Sequence, residues 1–256
     1  MALPFEGSVE ITGASAHVDG VVLELASWTR AVKPYRYEPK SRALAQLPFV
    51  APGAYDAPQD IVAREVRYAS HDGVQVPLSI VARSDVKLDG TNPTIVYGYG
   101  AYGATEDPFF NPRIYAWIQR GGVFAFAHVR GGGAFGEEWH LAGRKATKPN
   151  TWKDTIAAAE WLVANKYTSP KQIGVYGGSA GGILVGRAIT ERPDLFAAAD
   201  ERMAKYAAQS IPLGRWGTPG DIGNMVAFLA SPGGDWITGA ILVVDGGEWL
   251  SKHAST

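Results

Sequence analysis

Ile173-Gly174-Val175-Tyr176-Gly177-Gly178-Ser179-Ala180-Gly181-Gly182 is the stretch that decides the fold. A short apolar strand runs directly into Gly-x-Ser-x-Gly, and glycine on either side of a serine permits a sharp turn from strand into helix that projects the hydroxyl outward. A serine hydroxyl is a poor nucleophile. Acyl transfer therefore needs a base within hydrogen-bond reach, a group that orients the base, and donors aimed at the developing oxyanion. The spacing predicts a nucleophile elbow, with Ser179 as the catalytic residue acting through an acyl-enzyme.

Working outward, Thr94-Ile95-Val96-Tyr97 and Val123-Phe124-Ala125-Phe126-Ala127 read, with Ile173 to Tyr176, as buried parallel strands bounded by glycines. Helical segments separate them. Trp152 to about Asn165 places Trp152, Ile156, Ala159 and Val163 on one face, and Thr151 with Asp154 reads as a capping box. Asp72-Gly73 lies between two alternating runs and predicts a hairpin turn with positive φ at both central residues. The expected fold class is α/β, an α/β-hydrolase-like, mostly parallel sheet with helices on both faces. Residues 1–60, short apolar runs followed by a Pro-rich stretch, read as strands leading into a linker.

The chain of 256 residues is 46% hydrophobic and 19% charged, with a formal net charge of −1. It is compositionally globular. The balance of charge gives no electrostatic reason to expect nucleic acid or an anionic membrane as partner. No run approaches the ~18 apolar residues of a membrane span, and the opening Met1 to Gly7 does not read as a signal peptide, so a cytoplasmic location is expected. There is no cysteine, which excludes disulfides, thiolate metal sites and a Cys nucleophile. No histidine pair has metal-ligand spacing, so no metal is expected.

Tyr97-Gly98-Tyr99-Gly100-Ala101-Tyr102-Gly103, Val129-Arg130-Gly131-Gly132-Gly133 through Trp139-His140, Trp152-Lys153-Asp154 and Gly177 to Gly182 occur in the order and spacing of one family. By these motifs, residues from about 20 to 199 resemble the prolyl oligopeptidase family of serine peptidases. The resemblance implies that Tyr99 gives its hydroxyl to the oxyanion, that the Ala180 N–H is the second donor, and that Tyr102 lines the substrate pocket. Ala134 stands where that family usually carries an acid. The resemblance also makes residues 1–60 a remnant of propeller strands and linker ahead of a core at 61–199. It stops near Ala199, before the family's catalytic aspartate and histidine.

Residues from about 201 to 249 resemble instead the closing segment of short-chain dehydrogenases/reductases. Ile211 to Pro219, Asp221-Ile222, Phe228 to Ser231, and Trp236-Ile237-Thr238-Gly239 to Val244-Asp245-Gly246-Gly247 carry that likeness. The chain reads as a chimera in which residues 200–256 pack on the same sheet, adding helices at about Glu201 to Gln209 and Asp221 to Ala230 and a strand at Ala240 to Val244. The resemblance does not extend to a cofactor. Pro170 breaks the helix that would align Tyr167 with Lys171. His17 and Asp19 stand where the glycines after Thr12-Gly13-Ala14-Ser15 would be needed. No nicotinamide cofactor is expected.

Of the five histidines, His17, His71, His128, His140 and His253, only His253 follows the serine, and α/β-hydrolases use the order nucleophile, acid, histidine. His253 is thus the expected base and Asp245 its acid, with Asp221 and Asp235 as rivals. The expected activity is hydrolysis of small carboxylic esters, because an alkoxide leaves more readily than an amine. A prolyl-type oligopeptidase and a non-catalytic fusion are the alternatives, a reductase the remotest. Self-association into a homo-oligomer is expected of a truncated core.

Overall fold

The computed structural model describes residues 3–49, 51, 53, 55–196, 212–213, 219–235, 237–238 and 242–244. Two compact units divide the chain, residues 1–197 and residues 198–256. The first unit opens with a four-stranded antiparallel meander of β1 (Ser8–Ser15), β2 (Val18–Ser27), β3 (Arg30–Glu38) and β4 (Ala43–Gln46). Leu23 on β2 lies opposite Tyr35 on β3, so one face collects their buried side chains.

The second sheet comprises β5 (Ile61–Ala69), β6 (Gln75–Arg83), β7 (Thr94–Tyr97), β8 (Val123–Ala127) and β9 (Ile173–Tyr176), in spatial order β5-β6-β8-β7-β9. This is the α/β-hydrolase fold. The three apolar runs expected as strands are β7, β8 and β9, and they pair parallel, whereas β5–β6 and β6–β8 pair antiparallel. Every residue of β8 is buried because both its faces are covered. On one face lie α3 (Pro149–Ala164) and α4 (Gly181–Glu191), bringing Ile156, Ala158, Leu162 and Leu184 into the larger core. On the other lies α1 (Pro112–Gln119) with Tyr115 and Ile118. Trp28, from the β2–β3 turn, stacks on Phe126 of β8 with ring centroids 4.0 Å apart and joins the two sheets.

Local chemistry sets the ends of these elements, and in two places it differs from the sequence expectation. In the β5–β6 hairpin only Gly73 has positive φ (+83°); the Gly73 N–H donates to Ser70 O and the Ser70 N–H to Val74 O. The turn is therefore a three-residue loop with a left-handed glycine at its end, and Asp72 keeps ordinary φ. The long helix α3 starts at Pro149, not Trp152, with the proline in the first turn. Asp154 is no cap; it is fully buried and spent on Arg130.

The second unit carries α5 (Pro219–Leu229) and a 3-10 turn at Pro232–Gly234, where the Ser231 hydroxyl accepts from Gly233 N. The expected final strand is corrected: Leu242 to Val244 form none, and these residues are exposed. A β-branched run becomes a strand only where a neighbour supplies the ladder. The expected helix at 201–209 lies outside the described residues. Among the described residues no helix is long and apolar enough to cross a membrane.

Candidate active site

Ser179 sits between the end of β9 and the start of α4 with φ at +51°, a left-handed conformation that costs a residue bearing a Cβ roughly 1–2 kcal/mol. The turn is closed by Gly181 N donating to Gly178 O at 2.8 Å and Gly182 N to Ser179 O at 2.9 Å. Two motif glycines are needed for contact with other backbone rather than for their own φ. A Cβ on Gly177 would lie 2.6 Å from Gly98 O, and one on Gly181 would lie 2.9 Å from that same oxygen and 3.4 Å from the Tyr99 ring. The elbow is thereby pressed onto the backbone at Gly98-Tyr99, where Gly98 N also donates to Tyr176 O at 3.1 Å. The packing sets Tyr99 against Gly181, two residues after Ser179 and next to Ala180.

Ala180 caps α4, and among the described residues its N–H donates to no protein acceptor. Such a donor, at the positive end of a helix, suits an oxyanion. The Tyr99 hydroxyl is likewise without an acceptor among the described residues. Tyr102 has φ at +59°, is 80% exposed, and lies with its ring centroid 6.4 Å from that of Tyr99. The loop bearing both tyrosines is fixed from below: Gly103 N donates to Gly131 O at 3.1 Å, and Lys148 Nζ donates to Gly100 O at 2.5 Å. Burial lowers the pKa of Lys148. A Cβ on Gly131 would lie 2.2 Å from Gly100 O, so the glycine runs after β7 and β8 interlock.

Behind this loop lies an ionic cluster that sequence reading missed. Arg130, following β8, donates Nε to Asp154 Oδ2 at 2.9 Å, Nη2 to Asp154 Oδ1 at 2.6 Å and Nη1 to Asp72 Oδ2 at 2.6 Å. Its backbone N–H also donates to Asp154 Oδ2 at 3.0 Å, and the Ser70 hydroxyl to Asp154 Oδ1 at 2.5 Å. The guanidinium lowers the pKa of Asp72 and its own pKa is raised. In the sequence Arg130 stands only within a family motif, and Asp154 there also has the spacing of a capping residue.

The sequence equally gave no sign of Glu106, whose carboxyl is 9% exposed and has Oε1 buried without a partner. Burial pushes its pKa up to about 7, with Asp107 adding repulsion, while the backbone N–H groups of Glu106 and Tyr99 favour the charged form. A raised carboxyl pKa means that the folded state holds the proton more tightly than the unfolded one, so this contribution is present below the ordinary value of 4.5 and is lost as pH rises through 7. Glu106→Gln should therefore gain about 2 kcal/mol relative to the unsubstituted chain between pH 5 and pH 8. Urea unfolding at both pH values checks this; an equal difference at the two would show that the carboxyl is not desolvated.

The described histidines are engaged elsewhere than at Ser179. His128 Nε2 lies 2.8 Å from Ser79 Oγ, His140 donates Nδ1 to Gly131 O at 2.9 Å, and His71 Nδ1 lies 3.2 Å from Ser70 Oγ. His17 lies in the β1–β2 turn. The expected base His253 and acid Asp245 lie outside the described residues. Of the rival acids, Asp221 lies in the first turn of α5 and Asp235 follows the 3-10 turn. Among the described residues no three carboxylate or imidazole groups cluster as metal ligands would.

Residues 108–205 match the prolyl oligopeptidase family, and residues 185–248 match the family described as enoyl-(acyl carrier protein) reductase, the two overlapping at 185–205. A dual function macrocyclase-peptidase of Galerina marginata is 46% identical over 138 residues, which are 54% of this chain and 19% of that protein. A prolyl endopeptidase of Elizabethkingia meningoseptica is 43% identical over 138 residues, 54% of this chain and 20% of that one. The chain thus spans about a fifth of the length of the curated relatives it matches. A solved prolyl endopeptidase structure superposes with a TM-score of 0.70 at 38% identity, over 76% of this chain and 28% of the other. The first unit thus has the α/β-hydrolase fold of its solved prolyl endopeptidase neighbour, and residues 108–205 resemble the prolyl oligopeptidase family.

Proposed function

We propose that this chain is a serine hydrolase of the prolyl oligopeptidase type, with peptides as substrates and Ser179 as nucleophile. The observation that carries the reading is the left-handed Ser179, held at the end of β9 by two glycines packed on the Gly98-Tyr99 backbone. Strain of this kind persists only where the surrounding structure enforces it, and it clusters at active sites. Ser179 Oγ attacks the carbonyl carbon and its proton passes to a base. The oxyanion receives the Tyr99 hydroxyl and the Ala180 N–H, and collapse expels the amine, which takes the proton, leaving an acyl-enzyme for water to cleave. Tyr102, largely exposed beside Tyr99, lines the substrate side. His253 and Asp245 are our assignment for base and acid, from chain order alone.

Peptides replace the small esters expected from the sequence because the relatives are peptidases by name. The family's segment ends near residue 205, and the reductase-like tail follows, in keeping with a chimera. A fluorophosphonate probe should label the chain and fail to label Ser179→Ala. A proline-containing peptide amide should be cleaved beside a p-nitrophenyl ester; cleavage of the ester alone would restore the ester reading, and no labelling under conditions that label a control hydrolase would sink both.

A further inference from the structure

We propose that Lys148 is a positioning residue for the oxyanion side of the site, its ammonium fastening the Gly100 carbonyl and, through it, the backbone that carries the Tyr99 hydroxyl. The inference rests on the reading of Tyr99 as an oxyanion donor. Lys148 Nζ donates to Gly100 O at 2.5 Å, and among the described residues no other group donates to that oxygen. The bond joins positions 48 residues apart, tying the residue that precedes α3 to the loop after β7.

That loop needs an outside tie. Gly100, Tyr102 and Gly103 have φ at +62°, +59° and +64°, and Tyr102 carries a Cβ in this left-handed region. The far end of the loop is held by backbone, with Gly103 N donating to Gly131 O at 3.1 Å and Ala104 N to Ala101 O at 3.1 Å. The near end passes through Gly100, and glycine has the widest backbone freedom of any residue, so the joint beside Tyr99 is the one that can turn. Packing limits it: a Cβ on Gly100 would lie 2.2 Å from Thr151 Cγ2, and one on Gly131 2.2 Å from Gly100 O. The Lys148 bond then sets where the carbonyl points.

The anchor is itself held. Lys148 N donates to Lys145 O at 3.1 Å, Thr151 N to Lys148 O at 3.0 Å, and Thr151 Oγ1 to Arg130 O at 2.8 Å, so the lysine stem leaves a turn bonded to the segment after β8. Among the described residues no carboxylate is ion-paired with Lys148, which is half-buried. An ammonium in that position takes its compensation from a fixed acceptor, and a charge-assisted bond to a carbonyl is stronger than a neutral one.

Lys148→Met keeps an apolar stem and removes the donor. It should slow fluorophosphonate labelling of Ser179 and peptide acylation about tenfold with KM little changed, and cost less than about twofold when added to Tyr99→Phe, which lacks the hydroxyl being positioned. A full loss in both backgrounds, or none in the first, overturns the proposal. Lys148→Arg, which retains a cationic donor, should stay within about threefold of the unsubstituted chain; a loss equal to that of Lys148→Met overturns it equally. Amide hydrogen exchange supplies a reading that needs no activity. In Lys148→Met the amides of Gly100 and Ala101 should exchange about tenfold faster while those of β8 keep their protection. If β8 loses protection as well, Lys148→Arg carries the test, and faster loop exchange there counts against the proposal. If the loop amides quicken in Lys148→Met alone and Ser179 labels in no chain, the hydrolase reading falls while Lys148 keeps its hold on the loop. If they do not quicken, the proposal falls whatever Ser179 does.

Discussion

Asp154→Ala is expected to destabilise the first unit by about 3–5 kcal/mol, because removing one partner of a buried ion pair leaves the other uncompensated. Arg130 is 3% exposed and would lose every side-chain and backbone bond it makes to Asp154, its guanidinium keeping only Asp72 and a long bond to Ser70. The contrast is Asp72→Ala, at an outer carboxylate that is partly open to solvent, for which at most about 1 kcal/mol is expected. Urea unfolding of the three chains at neutral pH measures both differences. Equal losses for the two aspartates would show that the buried carboxylate has no privileged place. The cluster joins the β5–β6 turn, the segment after β8 and the helix α3, so its failure should loosen the scaffold beneath the Tyr99 loop as well.

Tyr99→Phe is expected to lower the rate of Ser179 acylation by about 10²–10³-fold, the cost of deleting one oxyanion donor. The loss should fall on kcat with little change in KM, since the hydroxyl acts on charge that develops only in the transition state. Because the hydroxyl has no acceptor among the described residues, stability should stay within about 0.5 kcal/mol, which separates this variant from one that merely misfolds. Peptide hydrolysis under saturating and subsaturating substrate, beside a melting curve, reads both quantities. Activity within threefold of the unsubstituted chain would remove Tyr99 from the oxyanion hole.

What could be read from the sequence was what is local. The strands at 94–97, 123–127 and 173–176 announce themselves as apolar runs between glycines, and the turn at Ser179 is written in consecutive residues. The helix α3 was legible as a helix and misread at its start, since Asp154 three residues after Thr151 imitates a cap. Its true partner, Arg130, is 24 residues away and reaches it only through the sheet. Glu106 left no trace for a related reason: its carboxyl is buried beside His128, and no periodicity connects those two positions. At Leu242 to Val244 the error ran the other way, a strand-like composition without a ladder to join.

The left-handed serine also bears on the chain's stability. A Cβ at φ +51° is a standing burden that glycine at the same position would lift, since glycine adopts that conformation freely. Glycine at position 179 would therefore be expected to stabilise the fold by about 1 kcal/mol. Stability and the proposed chemistry thus pull in opposite directions at this one position, and Ser179→Gly should melt higher while losing the hydroxyl.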